Sequence, residues 1–115
     1  MAYAIADADA IAASPGAHPA GSRFDRDVGQ VLGVSAFGIF QIDLPPNEET
    51  VRHDHREDGV EDVYAVVRGS GSVVIDDREI SVRPGQFIAV TAESARQVRA
   101  GREGLTFIAA CAPPR

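Results

Sequence analysis

From residue 31 onward the chain alternates apolar and polar positions in short runs, each closed by a turn signal. Residues 31–44 carry Val34, Phe37, Ile39, Phe40 and Ile42 and stop at Pro45-Pro46, a pair that cannot donate to a ladder and so ends a strand. Residues 48–54 form the next run, and Arg56-Glu57-Asp58-Gly59 turns the chain back. A third run follows Glu61-Asp62 as Val63, Tyr64, Ala65, Val66 and Val67, and Gly69-Ser70-Gly71 reads as a tight turn. Then come residues 72–76 and 79–83, a hairpin joined through Asp77-Arg78, and residues 86–91 after Pro84-Gly85. Residues 95–100 and 105–111, separated by the turn Gly101-Arg102-Glu103-Gly104, complete about eight strands, a spacing that predicts an all-β sandwich or barrel. Residues 1–22 differ: they are Ala-rich, interrupted by Ser14-Pro15-Gly16 and His18-Pro19-Ala20-Gly21, and hold no sustained apolar period. The pattern predicts an N-terminal arm over 1–22 and one barrel domain over 23–115, with a short strand at residues 3–5 able to join a neighbouring subunit's sheet edge.

Composition narrows the function classes. The 115 residues allow one domain with one modest core, and 44% apolar content excludes a wholly disordered chain. A net charge of −6 argues against nucleic acid or an anionic membrane as partner. No run approaches the ~18 apolar residues of a membrane span, and the start carries Asp7 and Asp9 rather than a basic leader, so a cytoplasmic protein is expected. Cys111 is the only cysteine, which excludes an internal disulfide and suits a reducing compartment. All 11 basic residues are Arg, so lysine Schiff-base chemistry is excluded. Ser35, Ser70, Ser72, Ser81 and Ser94 lack a nucleophile-elbow context, and Cys111 in its apolar segment reads as core packing.

His53-Asp54-His55 is the chemically informative segment. Side chains of an extended strand alternate between faces, so His53 and His55 project together while Asp54 points away, a geometry suited to two ligands of one ion. An acid at the start of the following strand completes a facial set of two histidines and one carboxylate. Glu61 and Asp62 are adjacent and face opposite sides, so only one of them enters the barrel. Glu57 and Asp58 read as ordinary acids of a solvated turn, and His18 in the arm is assigned no role.

The segment His53-x-His55, six residues, Asp62, six residues, Gly69 resembles the first motif of the cupin family, and Arg83-Pro84-Gly85 followed by Phe87-Ile88-Ala89-Val90 and Arg96 resembles the second. The resemblance covers residues 31–111. It implies a cupin jelly-roll β-barrel, a double-stranded β-helix of the small RmlC-like or cupin 2 kind, with a homodimer as the expected assembly. Asp62 stands where the motif has its Glu ligand, with Glu61 as the fallback if a bulge shifts the register. Arg96 stands where the motif has a ligand histidine. On its strand Arg96 shares a face with Val98, which points it into the barrel and calls for a carboxylate or an anionic ligand as partner.

Two readings of the site stay open. In the first, His53, His55 and Asp62 hold a divalent Fe, Mn, Ni, Zn or Cu ion, and Arg96 binds the carboxylate or developing oxyanion of a small anionic or carbonyl-bearing metabolite, for oxygenase or Lewis-acid chemistry. In the second, Arg96 replaces the ion, and the chain is a metal-free isomerase or cyclase with His53 or His55 as base, or a non-catalytic sensor of a small molecule. Tyr64 is a candidate proton donor, and Phe40, Tyr64 and Phe87, with Arg96, are the candidate ligand-contacting residues.

Overall fold

Asp27 and Gly33 decide how the barrel domain begins. In the computed structural model, which describes residues 2–16 and 18–112, a short strand β1 (Asp25–Asp27) runs directly into a helix α1 (Val28–Leu32). The Asp27 carboxylate caps the helix by accepting from the Gln30 amide at 3.0 Å, and Gly33 ends it in the left-handed region at φ 75°. The strand expected over 31–44 is therefore shorter: Val31 and Leu32 are helical, and β2 spans Gly38–Leu44. The apolar run hid the cap residues that bracket one turn and a half of helix.

The next correction concerns the glycines. Strand β3 (Glu61–Ile75) passes through Gly69-Ser70-Gly71 without turning, and the last strand, β6 (Arg96–Ala112), passes through Gly101–Gly104 in the same way. Between them lie β4 (Arg78–Val82) and β5 (Phe87–Val90). β3 and β6 pair antiparallel along their whole length, with register shifts between Val66 and Arg68 and between Gly69 and Gly71. Buried side chains show the effect: in β3 Asp62, Tyr64 and Val66 point inward before the shift and Val73 after it, and in β6 Arg96, Val98 and Ala100 give way to Leu105, Phe107 and Ala109. The inward parity flips from even to odd in both strands, which is what paired bulges do to a pleat. Each long strand thus serves both halves of the barrel. One half is β1-β2-β6-β3-β5, and the other is β3 and β6 flanked by β4 and by residues 48–55.

Residues 48–54, expected as a full strand, are extended but irregular. They attach to the edge of β6 through bridges Glu49↔Arg99 and His53↔Arg96. Thr50 fills the gap, donating its amide to Val98 O at 2.9 Å while its Oγ1 accepts from the Val98 amide at 3.0 Å. The β3–β4 hairpin turns at Asp76-Asp77, one residue earlier than the sequence suggested, with Asp76 at φ 52°. Residues 3–5 form no strand; a 3-10 turn at Ala8–Ala10 follows them. Residues 8–14 of the arm are tied to the barrel, since Arg26 donates to the carbonyls of Ala8 and Ile11 and the Ser14 amide donates to Asp25 O at 2.9 Å. No helix among the described residues is long and apolar enough to cross a membrane.

Close approach at the bulge explains its glycines. Gly69 has φ 91°, and a Cβ there would overlap the Gly104 carbonyl; Gly104 has φ 78° and faces Leu44 O. Gly85, also left-handed at φ 92°, has open space around it. Gly69→Ala should therefore lose about 2–4 kcal/mol in chemical denaturation, combining left-handed strain with overlap, whereas Gly85→Ala should lose about 1 kcal/mol from strain alone.

Candidate functional site

Residue 96 organises the inner face at one end of the barrel. The His53 amide donates to Arg96 O at 3.1 Å and the Arg96 amide donates to His53 O at 2.8 Å, a doubly bonded antiparallel pair that sends both side chains to the same side. Arg96 is 0% exposed. Its guanidinium donates through Nη1 to Asp62 Oδ2, through Nη2 to Thr91 O at 2.6 Å and through Nε to Ser94 O at 3.1 Å. Asp62, 6% exposed, lies across β3 and also accepts from the Tyr64 hydroxyl at 3.2 Å. Glu61, the fallback, is exposed on the outer face of the same strand. Burial, and next the Asp62 charge, push the Tyr64 hydroxyl well above the ordinary phenol range. Its proton is committed to Asp62, so Tyr64 orients the carboxylate and is not a proton donor to a ligand.

The two histidines are fixed by their Nδ1 atoms. His53 Nδ1 lies 2.9 Å from Val51 O, and a carbonyl only accepts, so Nδ1 carries the proton and Nε2 keeps its lone pair. Burial lowers the pKa of His53 below the usual histidine value, which keeps the ring neutral. His55, 8% exposed, places Nδ1 at 3.1 and 3.2 Å from the two Asp58 oxygens and Nε2 at 3.4 Å from Asp62 Oδ2. His55 thus lies between two carboxylates, Asp58 at Nδ1 and Asp62 at Nε2, either of which can accept from a ring N–H. The rings meet edge to face, centroids 4.9 Å apart.

These groups open onto a cavity of about 220 Å³ with walls from Phe40, Ile42, Val60, Val98, Phe107 and Ala109. His53, His55, Asp62 and Tyr64 line it, together with Thr50 and Cys111. Phe87 does not: it is 75% exposed on the outside of β5, because the parity of that strand turns Ile88 and Val90 toward the core. Arg96 is not on the cavity surface either, since its donors are spent on Asp62 and on backbone carbonyls, so the expected clamp on a ligand anion is not formed.

The sequence reading missed three participants. His18 reaches over the mouth, its ring 5.6 Å from that of His55 and its Nε2 3.7 Å from Asp58 Oδ2. Nothing local to His18 signals this, because the contact spans the whole arm. Asp58, taken for a solvated acid, holds His55; the His55-x-x-Asp58 spacing across a turn was its signal. Asp25 lines the opposite wall, and Ser22, three residues before it, donates to both of its oxygens.

Several solved structures share this fold. A cupin protein from Bacteroides fragilis superposes with a TM-score of 0.71 at 19% identity, over 77% of this chain and 75% of that one. A sugar phosphate isomerase of the cupin superfamily from Silicibacter pomeroyi gives 0.69 at 23% identity over 78% of this chain, which spans only 59% of the isomerase. An RmlC-like cupin from Desulfovibrio desulfuricans gives 0.59 at 25% identity, over 70% and 74%. The chain folds as a small cupin. No protein-family model and no curated protein matches the sequence.

Cupins commonly hold a metal, and His53, His55 and Asp62 bring one donor atom each within 4.8 Å of one another. The imidazoles meet a metal's needs, with Nδ1 anchored and Nε2 free. The carboxylate does not, because Asp62 is already the counter-charge of a fully buried guanidinium. A dication held here would sit beside that guanidinium, so the set fits such an ion only where further negative charge, from Asp58, Asp25 or an anionic co-ligand, offsets it.

Two outcomes test this geometry. Arg96→Met should cost about 3–5 kcal/mol in denaturant by stranding Asp62, while the Arg96→Met, Asp62→Leu double variant should recover more than half of that loss. Cys111, whose thiol is pushed up by burial and next by Asp62, should resist iodoacetamide at neutral pH, with a rate that rises only above the ordinary thiol range as pH increases.

Proposed function

We propose that this cupin is a metal-free proton-transfer site, an isomerase or lyase acting on a small carbonyl compound. The observation that carries the reading is the unlike setting of the two imidazoles. His53 is neutral, with an unshared Nε2 lone pair facing the cavity; His55 is flanked by Asp58 and Asp62, which accept from its ring N–H. Paired groups with different environments are the usual source of acid and base in one pocket. His53 Nε2 takes the proton from the carbon next to the carbonyl and returns it to the neighbouring carbon, while the His55 Nε2–H, only loosely shared with Asp62 Oδ2 at 3.4 Å, donates to the carbonyl oxygen and stabilises its growing negative charge. Arg96 acts through Asp62, fixing the carboxylate that pairs with His55 and, through the backbone bridge, the strand that carries His53. The apolar walls exclude water from the reacting face. The isomerase from Silicibacter pomeroyi shows that a barrel of this kind bears such a name, while its phosphate-bearing substrate does not transfer to a cavity without a lining cation.

A second reading rests on the convergence of donor atoms from His53, His55 and Asp62 within 4.8 Å. With an anionic co-ligand to balance the charge, His53, His55 and Asp62 would hold Fe, Mn, Ni, Zn or Cu, which would polarise a bound carbonyl.

Hydroxyacetone in deuterated buffer distinguishes them. The protein should catalyse exchange of its carbon-bound hydrogens, followed by NMR, in the presence of chelator, and His53→Gln should slow this at least ~100-fold without a matching loss of stability. Chelator-sensitive exchange, with near-stoichiometric metal by plasma mass spectrometry that is lost on removing both histidines, would establish the second reading instead.

A further inference from the structure

Asp25 is a carboxylate facing the cavity with His53 as its nearest basic group and no guanidinium bonded to it among the described residues. It sits at the start of β1, paired with Ile42 of β2, whose side chain lines the same wall. The Ser22 hydroxyl donates to Oδ1 at 2.6 Å and the Ser22 amide to Oδ2 at 3.1 Å, so both oxygens are oriented and each retains accepting capacity. Among the described residues no Arg lies within ion-pair distance of Asp25, and none lines the cavity. Its neighbours Arg23 and Arg26 are taken by Glu48 and Asp43, and Arg96 is sealed behind Asp62.

The rest of the approach has the same sign. The mouth carries Glu57 and Asp58, and Asp54 that also meets Arg56; the single Arg lining it, Arg52, turns its Nη2 to Asp76 O at 2.9 Å. Inside, the rings of Phe40, Tyr64 and Phe107 share the cavity with Asp25. A carboxylate with aromatic walls and an acidic entrance recognises positive charge, through ion pairing in a partly dry site and through the negative faces of the rings.

We propose that the cavity binds a small organic cation, with Asp25 holding its ammonium group and setting the charge of the ligand the site accepts. Burial raises the pKa of the Asp25 carboxyl despite the two Ser22 hydrogen bonds and His53, and a bound ammonium would offset that desolvation. Together with the proton-transfer reading, the substrate class is an amine-bearing carbonyl compound whose ammonium end meets Asp25 while its carbonyl meets His53 and His55. The ligand-charge inference rests on the cavity being the ligand site and not on the chemistry performed there.

Three probes of one size and three charges decide it: n-propylammonium, 1-propanol and propionate, titrated at matched ionic strength against the whole chain. Binding is read from amide shifts in NMR. Propylammonium should bind at least about tenfold more tightly than propanol, with propionate weakest, as expected for one uncompensated charge in a partly buried site. Asp25→Asn should bring propylammonium to within about twofold of propanol and leave propanol unchanged. Equal affinities, a preference for propionate, no binding of any probe, or a preference that survives in Asp25→Asn would overturn the inference. The wild-type ranking stands as a test even where the variant does not fold. Hydroxyacetone exchange reads the proton-transfer reading separately: cation preference without exchange keeps Asp25 in its role and removes the chemistry, and exchange without cation preference does the reverse.

Discussion

The buried ion pair between Arg96 and Asp62 constrains everything else at this end of the barrel. A guanidinium with no solvent exposure is tolerable only if each donor finds an acceptor and the charge finds a counter-charge, and here Asp62, Thr91 O and Ser94 O supply them. The consequences run outward. Asp62 must lie on the inner face of β3, which fixes the register of that strand against β6; Tyr64 must turn its hydroxyl to the same oxygen; His55 must meet a carboxylate whose charge is already shared. Through its own backbone Arg96 also clamps His53. One residue thereby holds the spacing between a fixed anion and two imidazoles.

Much of this was legible in the sequence, for identifiable reasons. Alternation located the strands because each has one buried face, and the shared face of Arg96 and Val98 gave the orientation of the arginine before any coordinates. What could not be read is instructive. Gly69-Ser70-Gly71 and Gly101–Gly104 have turn composition, yet each pair of glycines serves a close approach between two strands that continue, and a glycine needed for approach is indistinguishable by composition from one needed for a turn. The helix at Val28–Leu32 was masked by an apolar run whose caps were the only clue.

The site divided in the same way. His53 and His55 follow from spacing and strand parity, which are local rules, while parity left Glu61 and Asp62 open and the register of the resembled motif chose Asp62. His18, Asp25 and Phe87 depend on where distant segments pass: His18 on the path of the arm, Asp25 on a strand of three residues, and Phe87 on the parity of a four-residue strand whose neighbours gave no firm register. The role given to Arg96 as an anion clamp failed for a different reason. Burial was anticipated, but a fully satisfied buried guanidinium has nothing left to offer a ligand.

The irregular attachment of residues 48–55 carries a consequence for how such a protein changes over time. Asp62, Tyr64 and Arg96 belong to the two long strands that span both halves of the barrel, while His53 and His55 ride on an edge segment joined to β6 by two bridges and the Thr50 contacts. Folding information and chemical information are thus stored in separate parts of the chain. His53 can change without disturbing the charge pair, because it meets Arg96 through backbone alone, whereas buried His55 touches Asp62 and cannot change without altering the surroundings of that pair.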